Sequence, residues 1–534
     1  MRILSVALMI ASAASAQVTS PLLGWLPDGT RIRPMNGLPA AAILGRPVNI
    51  GHAITHPAIS PNQNYVLASD ASTGEVLLII PSVSATVLNV PMKPDQTIAS
   101  PQGSSAALWY SATAQLGVIS GLPGAPAIRL IDGSVLGASP VAIAVSDDGQ
   151  WIAAASAAGV YMWGGSGVQE IYSGGDAAAL AFFAGSSNLA VGTSTQILEV
   201  SGSATSVLYQ GAVSPVGLAT SFNNQKIVLA DQSGTIYSID ATTQVASTND
   251  CQCRPSGVFG LDGSVFRLTS SSVGAIKIFD AAAGAVLAVP GDAVKTTRVV
   301  RRAQTSGPLP NLTVRFTPTP TGYLQQPTLT ITASSAYPTE IDGTVALLFS
   351  STSTTGGQDQ TIQFSSGGPT VNFTIPAGST QANFSGAPSI TFSTGTSCGY
   401  ITASVNLTAP TAATAVTSLT VQLLATTPVI TGVTLSQVSG GVNVVVTGYS
   451  PTDDVTSGIF NFALTSNASL TVNDLEVSLS PEFQTYYGSS SSYATGSEFT
   501  LTVPFTVTGN ATDMVGVTVT LLNSIAAGAP VSSQ

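Results

Sequence analysis

Residues 58–70 read AISPNQNYVLASD: an apolar strand, a polar turn at 61–64, and a second apolar strand that starts about five residues after Ser60. The same plan returns five times, as IASPQGSSAALWY (98–110), IAVSDDGQWIAAAS (143–156), LAFFAGSSNLAVGT (180–193), LATSFNNQKIVLAD (218–231) and VFGLDGSVFRLTS (258–270). Aligned on Ser60, Ser100, Ser146, Phe183, Ser221 and Gly260, successive units lie 40, 46, 37, 38 and 39 residues apart. A period near 40 suits a four-stranded sheet, because each strand takes about five or six residues and each turn a few more.

The remainder of each unit agrees. A third strand fits 75–80, 115–119, 159–163, 196–200, 235–240 and 275–280, and a fourth follows about ten residues later, as in TVLNVP (86–91) and AVLAVP (285–290). No length is left for helices. The endings IYSIDATTQ (236–244) and IKIFDAAAGAVLAV (276–289) resemble WD40-type or YVTN-type propeller blades, with Asp240 and Asp280 in the polar turn after the third strand. The stretch LLGWLPDGTRIRPM (22–35) reads as two strands around a Pro-Asp-Gly turn that could complete a further blade with strands near 296–300. A β-propeller of six or seven blades is therefore expected over 17–294.

After 294 the character changes. A connector at 295–308 carries Lys295, Arg298, Arg301 and Arg302, a cluster that reads as a solvated linker. Beyond it, LTVRFTP (312–318), LTITAS (329–334), GTVALLFS (343–350), TVNFTIP (370–376) and ITASVNLT (401–408) alternate apolar and polar residues, as half-buried antiparallel strands do. A break at 425–428 separates a second series: VITGVTLSQ (429–437), GVNVVVTGYS (441–450), GIFNFALTS (458–466), SLTVNDLEVSLS (469–480), EFTLTVPFTVTG (498–509) and MVGVTVTLLN (514–523). The two series, 309–425 and 428–534, each have the size of an Ig-like or fibronectin-like β-sandwich. The expected fold class is all-β: a six- or seven-bladed β-propeller followed by two such sandwiches. This arrangement resembles secreted bacterial proteins that join a WD40/YVTN-like propeller to Ig-like modules. The resemblance implies an extracellular interaction role and supplies no catalytic residue.

Export is expected from the first residues. Arg2 precedes an apolar run from Ile3 to Ala11, and the small residues Ala14, Ser15 and Ala16 come before Gln17. This is the order of a secretory signal peptide, 1–16, whose apolar run is too short to span a bilayer. A secreted or periplasmic protein follows, with no membrane insertion after cleavage. Only 8% of residues are charged, while 44% are hydrophobic and recur in short runs, so the chain has ample core and is not of the disordered class.

Charge is distributed unevenly. All 15 Lys and Arg residues lie at or before Arg315, and residues 316–534 carry ten acids and no base. That anionic surface repels phosphate backbones, which excludes nucleic acid as its partner. Three cysteines, Cys251, Cys253 and Cys398, are too few for a disulfide scaffold; the first two either close a small ring or are free. With only His52 and His56 in the chain, a zinc site is not expected.

Little else carries chemistry. His56 precedes an inner strand and could face the central channel, although a turn histidine satisfied by backbone is the favoured reading. Gly395, Ser397 and Gly399 spell G-x-S-x-G, but strands flank them and no helix follows, so they read as a hairpin turn. Asp147 and Asp148 fit a turn. Asp453 and Asp454, in the loop SPTDDVTSG, could hold Ca²⁺ through oxygen ligands, the one cofactor considered. Trp109, Tyr110, Trp151, Tyr161 and Trp163 gather in the second and third units, where they form either a stacking face or inter-blade core. The expected function is an exported non-enzymatic binding or scaffold protein: a propeller face takes an extracellular protein, peptide or glycan, and the sandwiches act as spacer or adhesion modules. The alternative is a propeller hydrolase, lactonase or dehydrogenase-like enzyme with its site in the central channel.

Overall fold

At Ser60, Ser100, Ser146 and Ser221 the chain makes the same pair of bonds. The serine N–H donates to the carbonyl five residues on (Tyr65, Ser105, Trp151, Lys226), and the N–H of that later residue donates to the serine Oγ at 2.9–3.1 Å. A hydroxyl at this place closes the turn between the first two strands of a unit and satisfies a buried N–H. Phe183 keeps only the backbone half, to Asn188, and in the sixth unit Leu261 bonds to Val265.

The computed structural model describes residues 16–292 and 308–533, apart from 166, 212, 262, 271–273, 467 and 469–473. The expected leader up to Ser15, and the cluster Lys295, Arg298, Arg301 and Arg302 with the strands expected near 296–300, lie outside the described residues. The described chain forms two compact units, one made of Leu23–Met35 and Leu44–Val289, the other of residues up to Leu22, Asn36–Ile43 and the part from Pro290 onward.

In the first unit each repeat folds as one four-stranded antiparallel sheet with strands in sequence order; the sheets span 54–88, 96–132, 142–172, 179–210, 215–250 and 259–289. Burial is graded along each sheet. Second strands such as Val66–Asp70, Ser105–Tyr110 and Ile152–Ser156 are buried at every position, whereas fourth strands such as Gly167–Tyr172 are largely exposed. A strand covered on both faces needs a continuous apolar or small run instead of alternation, which is why IAAAS and SAALWY look as they do. Apolar clusters join each sheet to the next. Leu67 and Leu78 pack with Ala106 and Tyr110, Trp109 and Val118 with Ile143 and Ala154, Ala153 and Met162 with Phe182 and Leu198, Ile197 with Leu229, and Val228 with Phe266. A three-stranded sheet of Leu22–Asp28, Arg31–Asn36 and Ile43–Leu44 contributes Trp25 and Ile32 to a cluster with Ile54 and Leu77 of the first four-stranded sheet. Successive radial sheets with their first strands around one cavity make this unit propeller-like.

The second unit is built of paired sheets. Leu312–Thr317, Thr328–Ala333 and Ile390–Thr391 face a sheet ordered Thr370–Ile375, Ile341–Ser351, Gly399–Ala409, Ala413–Leu423. Val314, Leu329, Val345, Ile401 and Val405 fill the space between them. The alternation read from the sequence is realised in Gly399–Ala409, whose odd positions are buried. The second pair sets Glu498–Thr506, Gly441–Tyr449 and Val429–Val438 against Leu475–Ser478, Ser457–Leu464, Met514–Leu522 and Val531–Ser532.

Two features depart from the reading. Gln17–Thr19, placed at the start of the propeller range, instead pair with Glu498–Thr506 as the edge of the last sandwich, because Val18 gains cover from that apolar core. And Ser480–Tyr487 and Ser490–Thr495 are helices. Pro481 sits in the first helical turn, and Phe483, Tyr486 and Tyr487 fall on one face at i, i+3, i+4, burying against the same core.

Candidate ligand cavity

The first strands of the six four-stranded sheets, with Trp25, enclose a cavity of about 760 Å³. Its wall is chiefly Ala, Val, Ile, Leu, Pro and Phe. Ile98, Val141 and Phe259, three of the large apolar side chains that remain exposed in the molecule, all lie on it. First strands face this space because no further sheet covers their inner edge. Gly217 marks how tightly two of them approach: a Cβ there would stand 2.4 Å from the Val258 nitrogen.

Among the described residues three ionisable side chains line the wall: His56, Asp95 and Arg267. His56 sits at a register shift between Thr55 and Ala58, with φ of +50°, and is exposed. Bulges of this kind re-aim one side chain, and here they place the ring on the cavity, as one of the two readings of His56 expected. Asp95, at the start of the second sheet, accepts the Ser111 N–H at 2.7 Å. Its carboxyl is held below the usual range, first by the Ser111 hydroxyl and then by that N–H, with smaller contributions from His56 and Lys93. His52 is elsewhere: its Nδ1 lies 2.6 Å from Asp70, whose other oxygen accepts from Ser72 and Thr73 in a turn.

Arg267 was not singled out from the sequence. Its strand partner is Phe259, and the guanidinium lies over that ring, 4.2 Å from the centroid. It is 3% exposed. One terminal nitrogen donates to the Thr269 carbonyl and the Ser270 hydroxyl at 2.9 and 2.8 Å, while Nε has no partner. Burial lowers the guanidinium to about 10, which leaves it charged at neutral pH. The signal was present in the repeat. By strand register the matching residues are Leu67, Ala107, Ala153, Ala190 and Val228, all buried and uncharged.

The other candidates are placed away from this wall. Trp109 and Tyr110 alternate to opposite faces of one strand and enter different inter-sheet cores. Trp163 and Tyr161 belong to the core with Trp109, their rings 6.4 Å apart, and Trp151 packs in the next one. The five do not form one stacking face; their burial is what fills the gaps between sheets.

Asp453 and Asp454 do not suit a cation either. Asp453 is buried, and its two oxygens accept the hydroxyls of Ser497 and Thr355 at 2.5 and 3.0 Å, so the site supplies donors where Ca²⁺ needs acceptors. Burial pushes its carboxyl up. Asp454 accepts the Ser524 N–H. Among the described residues no group of three or more His, Cys, Asp or Glu is arranged to hold a metal. Ser397 of the G-x-S-x-G string is buried, shares a hydrogen bond with Ser497, and sends its N–H to Asp359. Neither histidine belongs to its sandwich, so the string is structural. Cys251 and Cys253 are joined as a disulfide, and Cys398 is a buried thiol. No described helix is long and apolar enough to cross a membrane.

No family model matches the chain, and no curated protein matches it. Among solved structures the chain is similar to the β-propeller domain of Cps50 (Swd1) from Myceliophteria thermophila, with 12% identity and a TM-score of 0.34 over 48% of this chain and 95% of that one.

Proposed function

We propose that this chain is an exported, non-enzymatic binding or scaffold protein whose propeller takes a ligand or partner segment in its central cavity. The three-stranded sheet at Leu22–Leu44 serves as a seventh, incomplete blade, and the two Ig-like sandwiches act as spacer or adhesion modules. One observation carries the reading: the cavity concentrates exposed Ile98, Val141 and Phe259 on a preformed wall that has only three ionisable groups among the described residues. Solvent-facing apolar surface in a concave site is costly to keep and is what ligands cover. The test is a panel of peptides, glycans and apolar small molecules titrated into the full chain by calorimetry, repeated with Ala181→Trp, which fills the cavity. Binding that disappears in A181W supports the reading, whereas binding unaffected by A181W places the ligand elsewhere.

A second reading, an enzyme of this cavity, is favoured by one fact: His56 and Asp95 come from neighbouring sheets to the same wall. Their charges interact. Turnover of a substrate that is lost in His56→Ala would establish it.

A further inference from the structure

We infer that Arg267 is the anion-recognition residue of the cavity and that the cavity's ligand is a small organic acid, a carboxylate carried on an apolar body. The inference rests on the cavity being a binding site. Four observations lead to it. The repeat sets an uncharged residue at this register in every other unit, so the fold itself does not call for a cation here. The guanidinium is almost wholly buried with an unpartnered Nε, and no carboxylate among the described residues pairs with it. A buried cation without a counter-charge destabilises a fold, and such groups are found where a partner is supplied from outside. Phe259 holds the guanidinium plane from one side and is itself 39% exposed on the cavity wall, so an incoming group meets the ring first and the buried guanidinium behind it.

The rest of the wall decides the class of anion. Around this cation the described wall is chiefly Ala, Val, Ile, Leu and Phe, with a few scattered Gln, Thr and Ser, so it gains most from covering an alkyl or aryl body. Asp95, also on the described wall, repels a second anionic group. A planar carboxylate is matched by the guanidinium edge. The ligand is thus a monoanion.

The experiment compares 4-phenylbutyrate with 4-phenylbutyramide on the full chain, by calorimetry and by thermal shift. The acid is expected to bind at least about tenfold tighter than the amide, since a charge-assisted bond to a buried guanidinium replaces an unmade one. Arg267→Met should bind acid and amide alike while its own unfolding temperature is no lower than that of the wild type, because an unpaired buried charge has been removed. Arg267→Lys keeps the charge without the Nε donor and should lose most of the preference. Equal binding of acid and amide to the wild type, which needs no variant to fold, overturns the anion role and leaves cavity binding intact. Failure of both probes to bind at millimolar concentration overturns the two together.

Discussion

Asp147 Oδ2 accepts the backbone N–H of Gly185 at 2.7 Å, although the two lie in turns of different sheets 38 residues apart. Its Oδ1 accepts the Gln102 N–H of the preceding sheet at the same distance, and its carbonyl receives the hydroxyls of Ser104 and Ser105. One side chain thus ties three consecutive sheets. Asn62 reaches the Gln102 carbonyl, Asn224 makes both amide bonds to Ala184, and Gln63 links Trp25 to Gly260. The first turns of the repeats form a hydrogen-bonded belt that fixes the angle between neighbours.

Replacing Asp147 by alanine breaks two charge-assisted bonds to exposed amides. Such bonds contribute roughly 1.5–3 kcal/mol each in buried settings and less where water competes, so Asp147→Ala is expected to cost about 1–3 kcal/mol in chemical unfolding. Asp148→Ala, whose side chain serves only its own turn through Ser146 and Gln150, is expected to cost about 1 kcal/mol. Equal losses at the two positions would rule out the belt.

The register serines offer a graded check. At Ser100 the Oγ accepts a buried N–H and at Ser146 a part-buried one, and each Ser→Ala change should cost about 1 kcal/mol. Phe183→Ser, by contrast, puts the hydroxyl where the repeat wants it but removes a buried ring from the core with Ile197 and Leu229. That change is expected to destabilise by about 2–4 kcal/mol, so packing outweighs the turn bond.

How much of this was legible in the sequence follows from what the repeat encodes. Strand order within each unit was readable because the units repeat the same apolar runs, four of them with the same serine, and a 40-residue period admits few other folds. Sandwich strands were readable from alternation alone. The helix Ser480–Tyr487 lies in the stretch 481–497 that the strand pattern leaves unread, and Phe483, Tyr486 and Tyr487 show helical spacing over only one turn. Gln17–Thr19 could not be assigned: three residues carry no period, and their partner, Glu498–Thr506, is more than 480 positions away. At the cavity His56 was named, whereas Asp95 and Arg267 were not, although Arg267 is the one charged residue at its register among the six units.

Glu498 predicts a pH dependence. It is completely buried; Oε2 accepts the Leu38 N–H at 2.9 Å and Oε1 has no partner. Burial first, and then the like charge of Asp359, push its carboxyl well above the ordinary value. The folded chain therefore holds a proton that the unfolded chain releases above about pH 4.3. Stability from this group is fully present below that pH and is lost as pH rises toward the folded value, and buried Asp453 acts in the same sense. Glu498→Gln imitates the protonated form. Thermal unfolding of E498Q should match the wild type near pH 4 and exceed it at pH 8. A gap that is the same at both pH values would show that Glu498 is ionised in the fold.

The strand at Gln17–Thr19 predicts a role for the first residues after the expected leader. Gln17, Val18 and Thr19 register with Thr502, Leu501 and Thr500 on a strand edge that would otherwise be unpaired. Ser20 shares a hydrogen bond with the Tyr486 hydroxyl and accepts that of Thr495, which fastens the strand to both helices. Open edges exchange their amides and recruit other strands. A chain that starts at Pro21 loses these bonds and the cover Val18 gives the core, at a cost of about 1–3 kcal/mol. Hydrogen exchange should then accelerate over Glu498–Thr506, while Val345 and its neighbours in the first sandwich keep their protection. If removing 17–20 leaves exchange at Leu501 unchanged, the paired strand is dispensable and the sandwich closes with three strands in that sheet.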